Sequence, residues 1–168
     1  VRASYDVWET SLTPMIGAPA RSIDTPTAAD FGGDLSFITS DQDPEPRFYE
    51  LSISDAIEAD APAILAFVTP AFCQTGTCGP TVEVIKAVAA DRPEVNVVQV
   101  EPYVMAKRDG YLQPVLSEEG WLQAAPWTEL WALRVEPYVV VIDAEGIVRA
   151  KFEGAITEAE LSEALAGL

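Results

Sequence analysis

A strand, a helix and a second strand follow one another between residues 63 and 100, and this order limits the chain to few folds. The segment AILAFVT, residues 63–69, is a continuous apolar run with a proline on either side, which is typical of a strand covered on both faces. Residues 80–93 carry apolar side chains at helical spacing, and VNVVQV, residues 95–100, is a second buried strand. The spacing predicts two parallel strands joined by a right-handed helical crossover.

The segments on either side of this unit predict further elements. RFYELSIS, residues 47–54, is typical of a short strand, and Ser54 begins a short helix over residues 54–60. Residues 101–126 predict a long irregular connection, followed by a short helix that opens with Pro126. The aromatic residues of this region predict either a docking patch for a partner or a small core of their own: Tyr103, Tyr111, Trp121, Trp127 and Trp131.

The C-terminal part predicts a hairpin and a helix. YVVVID, residues 138–143, and IVRAKFEG, residues 147–154, are separated by three residues, the spacing of two antiparallel strands. Thr157 and Glu160 match a capping box at the start of an amphipathic helix. The complete order predicts an α/β fold, with a mixed central sheet and helices on both of its faces.

Residues 1–47 differ in composition from the rest of the chain. They are rich in Pro, Asp, Thr, Ser and Gly, and they predict an extended strap with one short strand at residues 35–38. Large apolar side chains in the strap favour packing on the core over a flexible tether: Trp8, Leu12, Met15, Ile16, Phe31 and Phe37. We therefore predict a packed N-terminal strap, residues 1–47, and a core domain, residues 48–168.

The composition excludes several classes of function. The 168 residues include 27 acidic and 10 basic side chains, and the net charge of −17 repels nucleic acid and anionic membrane surfaces. Histidine is absent, which removes histidine acid/base catalysis, cysteine–histidine pairs and histidine zinc sites. We expect no cofactor, no metal and no nucleic-acid partner, so any chemistry must use thiols, carboxylates or hydroxyls.

The two cysteines, Cys73 and Cys78, lie in TPAFCQTGTCGPT, residues 69–81, directly after the first buried strand. In a straight helix, residues five apart have Cα atoms separated by about 8.6 Å. A disulfide needs about 4.4 to 6.8 Å, so the pair can close only if residues 74–77 loop out. Gly76 can take the positive φ that such a loop needs. We predict a bulged loop, with a regular helix that begins near Cys78.

Three roles are open for this pair of cysteines. If the pair forms a structural disulfide, closing so short a loop stabilises the folded chain by only roughly 2 kcal/mol, and strain in the loop reduces this value. A metal site lacks a third ligand, although soft Cu(I) held by two thiolates stays open. A redox pair explains the position best, because thiols at the N-terminus of a helix have lowered pKa values.

The order of elements, with a cysteine pair where a strand meets a helix, resembles the thioredoxin fold. WALRVEPYVVVI, residues 131–142, is similar to that family's pattern of a helix end, an arginine and a proline before an apolar strand. The resemblance implies that Pro137 is the family's cis-proline, lying against the cysteines and placing backbone beside a partner strand. The cysteine spacing differs from the family's C-x-x-C motif, because four residues separate the pair.

The strap and the segment that leads to Cys73 are similar to the extracytoplasmic, TlpA-like branch of the family. This resemblance implies a secreted or membrane-anchored protein. The chain starts at Val1 instead of Met, so we expect that a signal or anchor was removed and is absent from this chain. The partners implied are protein thiols or disulfides, including a membrane redox partner, and we expect a monomer.

The function predicted is an extracytoplasmic thiol–disulfide oxidoreductase. The thioredoxin resemblance implies that Cys73 attacks a partner disulfide and Cys78 resolves it, although the two roles could be exchanged. Glu136, directly before Pro137, is expected beside the pair, where a carboxylate would raise the thiol pKa or move a proton. The alternative for Glu136 is a solvated glutamate at the sheet edge.

Two other functions stay open. One is a binding domain with a structural disulfide and no catalysis. The other is a thiol peroxidase, since some peroxiredoxins place a second cysteine five positions after the first. Thr69 lies four residues before Cys73, where those enzymes need three, and Glu136 and Pro137 stand where they use an arginine and a threonine. The peroxidase pattern therefore fits less well than the oxidoreductase pattern.

Overall fold

A four-stranded mixed sheet forms the centre of the computed structural model, which describes residues 9–168. The strands of the described chain are β1 Ala63–Phe67, β2 Asn96–Val100, β3 Met105–Arg108, β4 Tyr111–Pro114, β5 Tyr138–Ile142 and β6 Val148–Glu153. The central sheet has the order β2-β1-β5-β6. β1 is parallel to β2 and antiparallel to β5, and β5 is antiparallel to β6. The predicted crossover unit and hairpin are both present in this sheet.

Helices cover both faces of the sheet. The α-helices are α1 Ile53–Glu58, α2 Cys78–Ala90, α3 Pro126–Leu130 and α4 Glu158–Ala164. α2 and α4 pack on one face, while α1 and the residue after α3, Trp131, pack on the other. The predicted fold class, a mixed sheet with helices on both faces, is confirmed. Within residues 9–168, no helix has the length and apolar character needed to span a bilayer.

The side chains of β1 alternate between these two cores. Ile64 and Ala66 contact the face that α2 and α4 cover, and Leu65 and Phe67 contact the opposite face. All five residues of the strand are buried. A strand buried on both faces reads as a continuous apolar run, which is why residues 63–69 could be recognised from the sequence. β1 ends at the point where the cysteine segment begins.

Three predictions of local structure are wrong. Residues 35–38 form a 3₁₀ helix, Leu35–Phe37, because the Asp34 side chain accepts a hydrogen bond from the Ser36 N–H. Residues 47–54 are not a strand either. They contain the 3₁₀ helix Pro46–Tyr49 and the start of α1, which is capped by Ser52 and not by Ser54.

The predicted irregular connection of residues 101–126 contains the antiparallel β3–β4 hairpin. Its turn consists of Asp109 and Gly110, which both have positive φ, at 52° and 85°. Two residues with positive φ form the type I′ turn that joins tightly paired strands. The dipeptide Asp-Gly is therefore the reason that this part of the connection is ordered.

The strap is held by backbone hydrogen bonds and by apolar side chains other than most of those predicted, among them Ile38, Leu35 and Ile23. The Gly17 N–H donates to the Val148 carbonyl at 2.8 Å, and the Val148 N–H donates to the Ala18 carbonyl at 2.9 Å. Several predicted anchors are instead 39% to 62% exposed: Leu12, Met15, Ile16, Phe31 and Phe37. The expected packing is wrong for these five, and Trp8 lies outside the described residues. The division of the chain at residue 47 stays a prediction.

Candidate functional site

The cysteine segment forms a bulged loop between β1 and α2, as the spacing predicted. Gly76 has a φ of 72°, a conformation in which a side chain would be strained. α2 begins at Cys78, so residues 74–77 loop out before the regular helix. Cys73 and Cys78 are both free thiols. The loop therefore presents one cysteine before the helix and one in its first turn.

Cys73 lies at the N-terminus of α2 and receives hydrogen bonds there. The Cys78 N–H donates to Cys73 Sγ at 3.2 Å, and Thr75 Oγ1 lies 3.3 Å from the same sulfur. Partial burial raises the pKa of Cys73, but the hydrogen bonds from Cys78 and Thr75 outweigh burial and bring the pKa below its ordinary value. More of Cys73 is therefore thiolate at neutral pH than in an ordinary cysteine.

Cys78 has the opposite environment. Its side chain is fully buried against the core under α2. Burial raises the pKa of Cys78 strongly, and the hydrogen bond to Cys73 and the charges of Cys73 and Glu136 raise it further. Cys78 is consequently a protonated thiol at neutral pH while Cys73 stands nearer to solvent. The two thiols differ in both accessibility and acidity.

Glu136 and Pro137 lie directly beside the loop. The Glu136–Pro137 peptide bond is cis, as expected from the sequence. Glu136 Oε1 accepts a hydrogen bond from the Gln74 N–H at 3.0 Å, and the Glu136 carbonyl accepts one from Thr75 Oγ1 at 3.2 Å. Glu136 is buried, so it is not the solvated edge residue of the alternative interpretation. The structure thus brings Cys73, Cys78, Glu136 and Pro137 together, and their roles stay predictions.

Two further residues contact this site: Thr75 was not singled out from the sequence, and Tyr103 was predicted only as part of an aromatic docking patch or a small core. Thr75 contacts both Cys73 and the Glu136 carbonyl, and Tyr103 lies against Glu136 from the connection after β2. Burial raises the pKa of Tyr103, and hydrogen bonding to Glu136 raises it further. Gln74 Nε2 also approaches the Tyr103 hydroxyl, at 3.5 Å. No motif marks either residue, because their contacts depend on how the loop is folded.

A groove of about 730 Å³ opens beside Cys73. One wall is the strap between residues 35 and 44, and the facing wall is the β3–β4 hairpin. Ala71 and Phe72, the two residues before Cys73, also line the groove. Tyr111 stands on the hairpin side and is 74% exposed. The groove therefore has a volume that can hold several protein side chains, and its lining includes the two residues that precede the accessible thiol in the chain.

Metal binding has no support in the geometry of this site. Among the residues described, no group of three or more His, Cys, Asp or Glu side chains is placed to hold an ion. The acidic residue nearest the thiols, Glu136, is hydrogen-bonded to the loop backbone. Cu(I) held by the two thiolates alone, the alternative that the sequence left open, does not need such a group.

Comparison with known proteins gives structural neighbours only. No family model matches the sequence, and no curated protein matches it. Reduced desulfothioredoxin from Desulfovibrio vulgaris Hildenborough is 19% identical, with a TM-score of 0.45 over 67% of this chain and 86% of that one. Chloroplastic thioredoxin z is 18% identical, with a TM-score of 0.47 over 68% of this chain and 88% of that one.

A third neighbour is MTB DsbF, solved in mixed oxidised and reduced forms. It is 22% identical, with a TM-score of 0.48 over 78% of this chain and 93% of that one. The chain has a mixed central sheet with helices on both faces, which is consistent with a thioredoxin-like fold. It also has a cysteine pair at the β1–α2 junction and a cis-proline before β5, as the resemblance implied.

Proposed function

We propose that the protein is an extracytoplasmic thiol–disulfide oxidoreductase that exchanges a Cys73–Cys78 disulfide with partner proteins. The observation that carries this proposal is the asymmetry of the two thiols. Cys73 is partly exposed and accepts the Cys78 N–H at the start of α2, whereas Cys78 is fully buried. An accessible, acidic thiol suits attack on a disulfide, and a buried neighbour suits the resolving step.

The reaction proceeds in two exchanges. The Cys73 thiolate attacks one sulfur of a partner disulfide, forms a mixed disulfide and expels the partner's other sulfur as a thiolate, which takes up a proton. Cys78 then loses its proton and attacks Cys73 Sγ, forming the Cys73–Cys78 disulfide and releasing the partner's second thiol. The partner disulfide is reduced by two electrons and the cysteine pair is oxidised, and the reverse sequence oxidises a partner dithiol.

The setting proposed for this reaction follows the resemblance to the TlpA-like branch. We propose that the protein works as a monomer outside the cytoplasm, with a membrane protein as one of its redox partners. A cysteine pair that cycles through a disulfide suits an oxidising compartment. Labelling intact cells with a membrane-impermeant maleimide tests the location, because only an extracytoplasmic Cys73 reacts before lysis.

A redox-buffer titration with thiol trapping tests the reaction. We expect a reduction potential between about −120 and −270 mV, the range of proteins that exchange disulfides with partners. A potential below about −300 mV without exchange in the native state would instead identify a structural disulfide. Hydrogen peroxide added to the reduced protein should be consumed no faster than by a free thiol, and faster consumption would favour the peroxidase.

The groove beside Cys73 supports a protein partner, with an extended segment of that partner lying across Tyr111. Replacing Tyr111 with serine should slow the reduction of insulin roughly fivefold, since an aromatic contact within an interface contributes about 1 kcal/mol or more. Bis(2-hydroxyethyl) disulfide has no peptide segment to lie across the groove, so its reduction should not change. Stopped-flow fluorescence of the reduced protein measures both rates.

Trp121 provides a matched control for Tyr111. It is 75% exposed, against 74% for Tyr111, but it does not line the groove. Trp121→Ser should leave insulin reduction unchanged. Equal losses in the two variants would mean that general surface hydrophobicity, and not the groove, accounts for the effect.

The charge of Glu136 is expected to slow the resolving step. It contributes to the raised pKa of Cys78, so Glu136→Gln should lower that pKa while keeping an oxygen that accepts the Gln74 N–H. At neutral pH, release of thionitrobenzoate from a preformed Cys73 adduct should accelerate, by at most roughly tenfold for a change of one pKa unit. Absorbance at 412 nm across a pH series measures this rate.

Glu136→Ala separates the charge from the hydrogen bond. It removes the same charge, but it also leaves the Gln74 N–H without its acceptor, so the loop should lose order and the gain in rate should be smaller than for Gln. An unchanged pH profile in Glu136→Gln would show that this carboxylate does not tune the thiols.

A further inference from the structure

The hydroxyl of Thr75 stands among three groups that compete for its single proton. Its Oγ1 is 3.3 Å from Cys73 Sγ, 3.2 Å from the Glu136 carbonyl oxygen and 2.7 Å from Thr77 Oγ1. A hydroxyl donates one hydrogen bond and accepts two. Thr75 can therefore donate to the thiol site or to the backbone beside Pro137, but not to both at once.

When Cys73 is a thiol, the proton of Thr75 has one consistent position. A carbonyl oxygen only accepts, so the contact with Glu136 requires Thr75 to be the donor. The Cys73 S–H can then donate to Thr75 Oγ1, and the Cys78 N–H donates to the sulfur. Every group in this arrangement has a partner.

When Cys73 is a thiolate, the arrangement must change. The sulfur has lost its proton and can only accept, and a charged acceptor attracts a donor more strongly than a neutral carbonyl does. Thr75 then donates to Cys73 Sγ, while the Cys78 N–H keeps its bond to the same atom. Among the described residues, the Glu136 carbonyl has Thr75 as its hydrogen-bond donor, so ionisation of Cys73 leaves it free.

We propose that Thr75 couples the ionisation of Cys73 to the release of the Glu136 carbonyl as an acceptor for a partner's backbone N–H. Thr75 is exposed, so a partner segment can take its place beside the carbonyl. The Cys73 thiolate and the free Glu136 carbonyl therefore become available to a partner at the same time. The coupling is reciprocal. When a partner N–H binds the Glu136 carbonyl, the Thr75 hydroxyl donates its hydrogen bond to Cys73 Sγ instead, which stabilises the thiolate.

This inference deepens the proposed function and rests on it for its purpose, but its test needs no partner. In uniformly ¹³C,¹⁵N-labelled, reduced protein, the carbonyl carbon of Glu136 and the Cβ of Cys73 are followed by NMR across a pH series. We expect the carbonyl signal to move upfield, as hydrogen-bond loss requires, with the same midpoint as the Cys73 Cβ signal. A carbonyl signal that does not follow Cys73 overturns the proposal.

Variants of the two threonines in the loop sharpen the test. Thr75→Val should hold the Glu136 carbonyl signal at its free position at every pH and lower the alkylation rate of Cys73 at pH 7 roughly tenfold, as expected for a lost hydrogen bond to a charged group. Thr75→Ser should restore both. Thr77→Val is the matched control, because Thr77 contacts Thr75 but makes no hydrogen bond to the sulfur or to the carbonyl, and it should keep the titrating carbonyl.

The outcomes separate this inference from the proposed function. A carbonyl that titrates with Cys73 in a protein without disulfide exchange would retain the coupling and reject the oxidoreductase. If the protein exchanges disulfides but the Glu136 carbonyl signal does not change when Cys73 ionises, the oxidoreductase is retained and the coupling is rejected. Well-dispersed amide spectra for every variant show that the fold is intact. If Thr75→Ser behaves like Thr75→Val and not like the unsubstituted protein, the hydroxyl is not responsible for the coupling.

Discussion

Replacing Cys73 with serine is expected to reduce disulfide exchange to the rate of the buffer, whereas Cys78→Ser should accumulate a mixed disulfide with the partner. In the proposed reaction, the accessible Cys73 thiol, with its lowered pKa, performs the first attack, and the buried Cys78 thiol completes the second. A hydroxyl is not ionised at neutral pH and cannot replace either sulfur. Insulin reduction measures the rate, and mass spectrometry of acid-quenched samples measures the trapped adduct.

The same pair of variants tests which cysteine attacks. If Cys73→Ser traps an adduct and Cys78→Ser is inert, the roles are exchanged and the assignment is wrong. Adducts in both variants would mean that α2 opens enough to expose Cys78. The double variant Cys73→Ser/Cys78→Ser is the control, because it should have the native circular dichroism spectrum and form no adduct.

The largest expected loss of stability comes from Trp131→Ala. Trp131 is fully buried on the face of the sheet that α1 covers, with its ring centroid 5.5 Å from that of Phe67. Removing so large a side chain from a core costs about 3–5 kcal/mol, from lost transfer free energy and the cavity left behind. Urea unfolding measures this as a lower midpoint, with the slope unchanged if unfolding stays two-state.

Leu130, the neighbouring residue, provides the comparison. It is 41% exposed, so Leu130→Ala should change the free energy of unfolding by about 0.5 kcal/mol or less. Similar losses in the two variants would show that the end of α3 is stabilised as a helix and not by the burial of one ring.

The parallel strands β1 and β2 were predictable from the sequence because nearly all of their residues are buried. Residues 63–68 are apolar throughout, residues 95–100 are interrupted only by Asn96 and Gln99, and their short length beside prolines and an amphipathic helix favours strands. α4 was predictable for another local reason, since Thr157 and Glu160 carry their capping signal within one turn. Both kinds of information lie within a few residues of the element that they specify.

The strap and the β3–β4 hairpin could not be predicted in the same way. The strap depends on hydrogen bonds to Gly146 and Val148, about 130 residues away in the sequence, and its exposed apolar residues gave a misleading signal. The hairpin had a local signal, the Asp109–Gly110 dipeptide, but its flanking strands alternate only weakly and its side chains are partly exposed. The prediction that residues 101–126 are irregular did not take this turn signal into account.

The site was predictable as far as its residues follow one another in motifs. Cys73 and Cys78 stand at a strand–helix junction, and Pro137 precedes an apolar strand, so the positions of these three could be inferred. Thr75 and Tyr103 could not, because the loop that residues 74–77 form decides which groups they meet. A four-residue loop has several geometries, and only the tertiary contacts with Glu136 select one.

The walls of the groove beside Cys73 are made by the strap and the β3–β4 hairpin, and neither belongs to the four-stranded sheet. The hairpin residues are exposed or half-buried, so substitutions there can accumulate without disturbing the close-packed side chains beneath the thiols. The strap differs, because Ile38 is buried in the core that contains Cys78. On the proposed function, the hairpin would separate the choice of partner from the reaction chemistry of the thiols. A library confined to residues 108–116 tests this separation, because it leaves Cys73, Cys78 and the buried part of the strap unaltered.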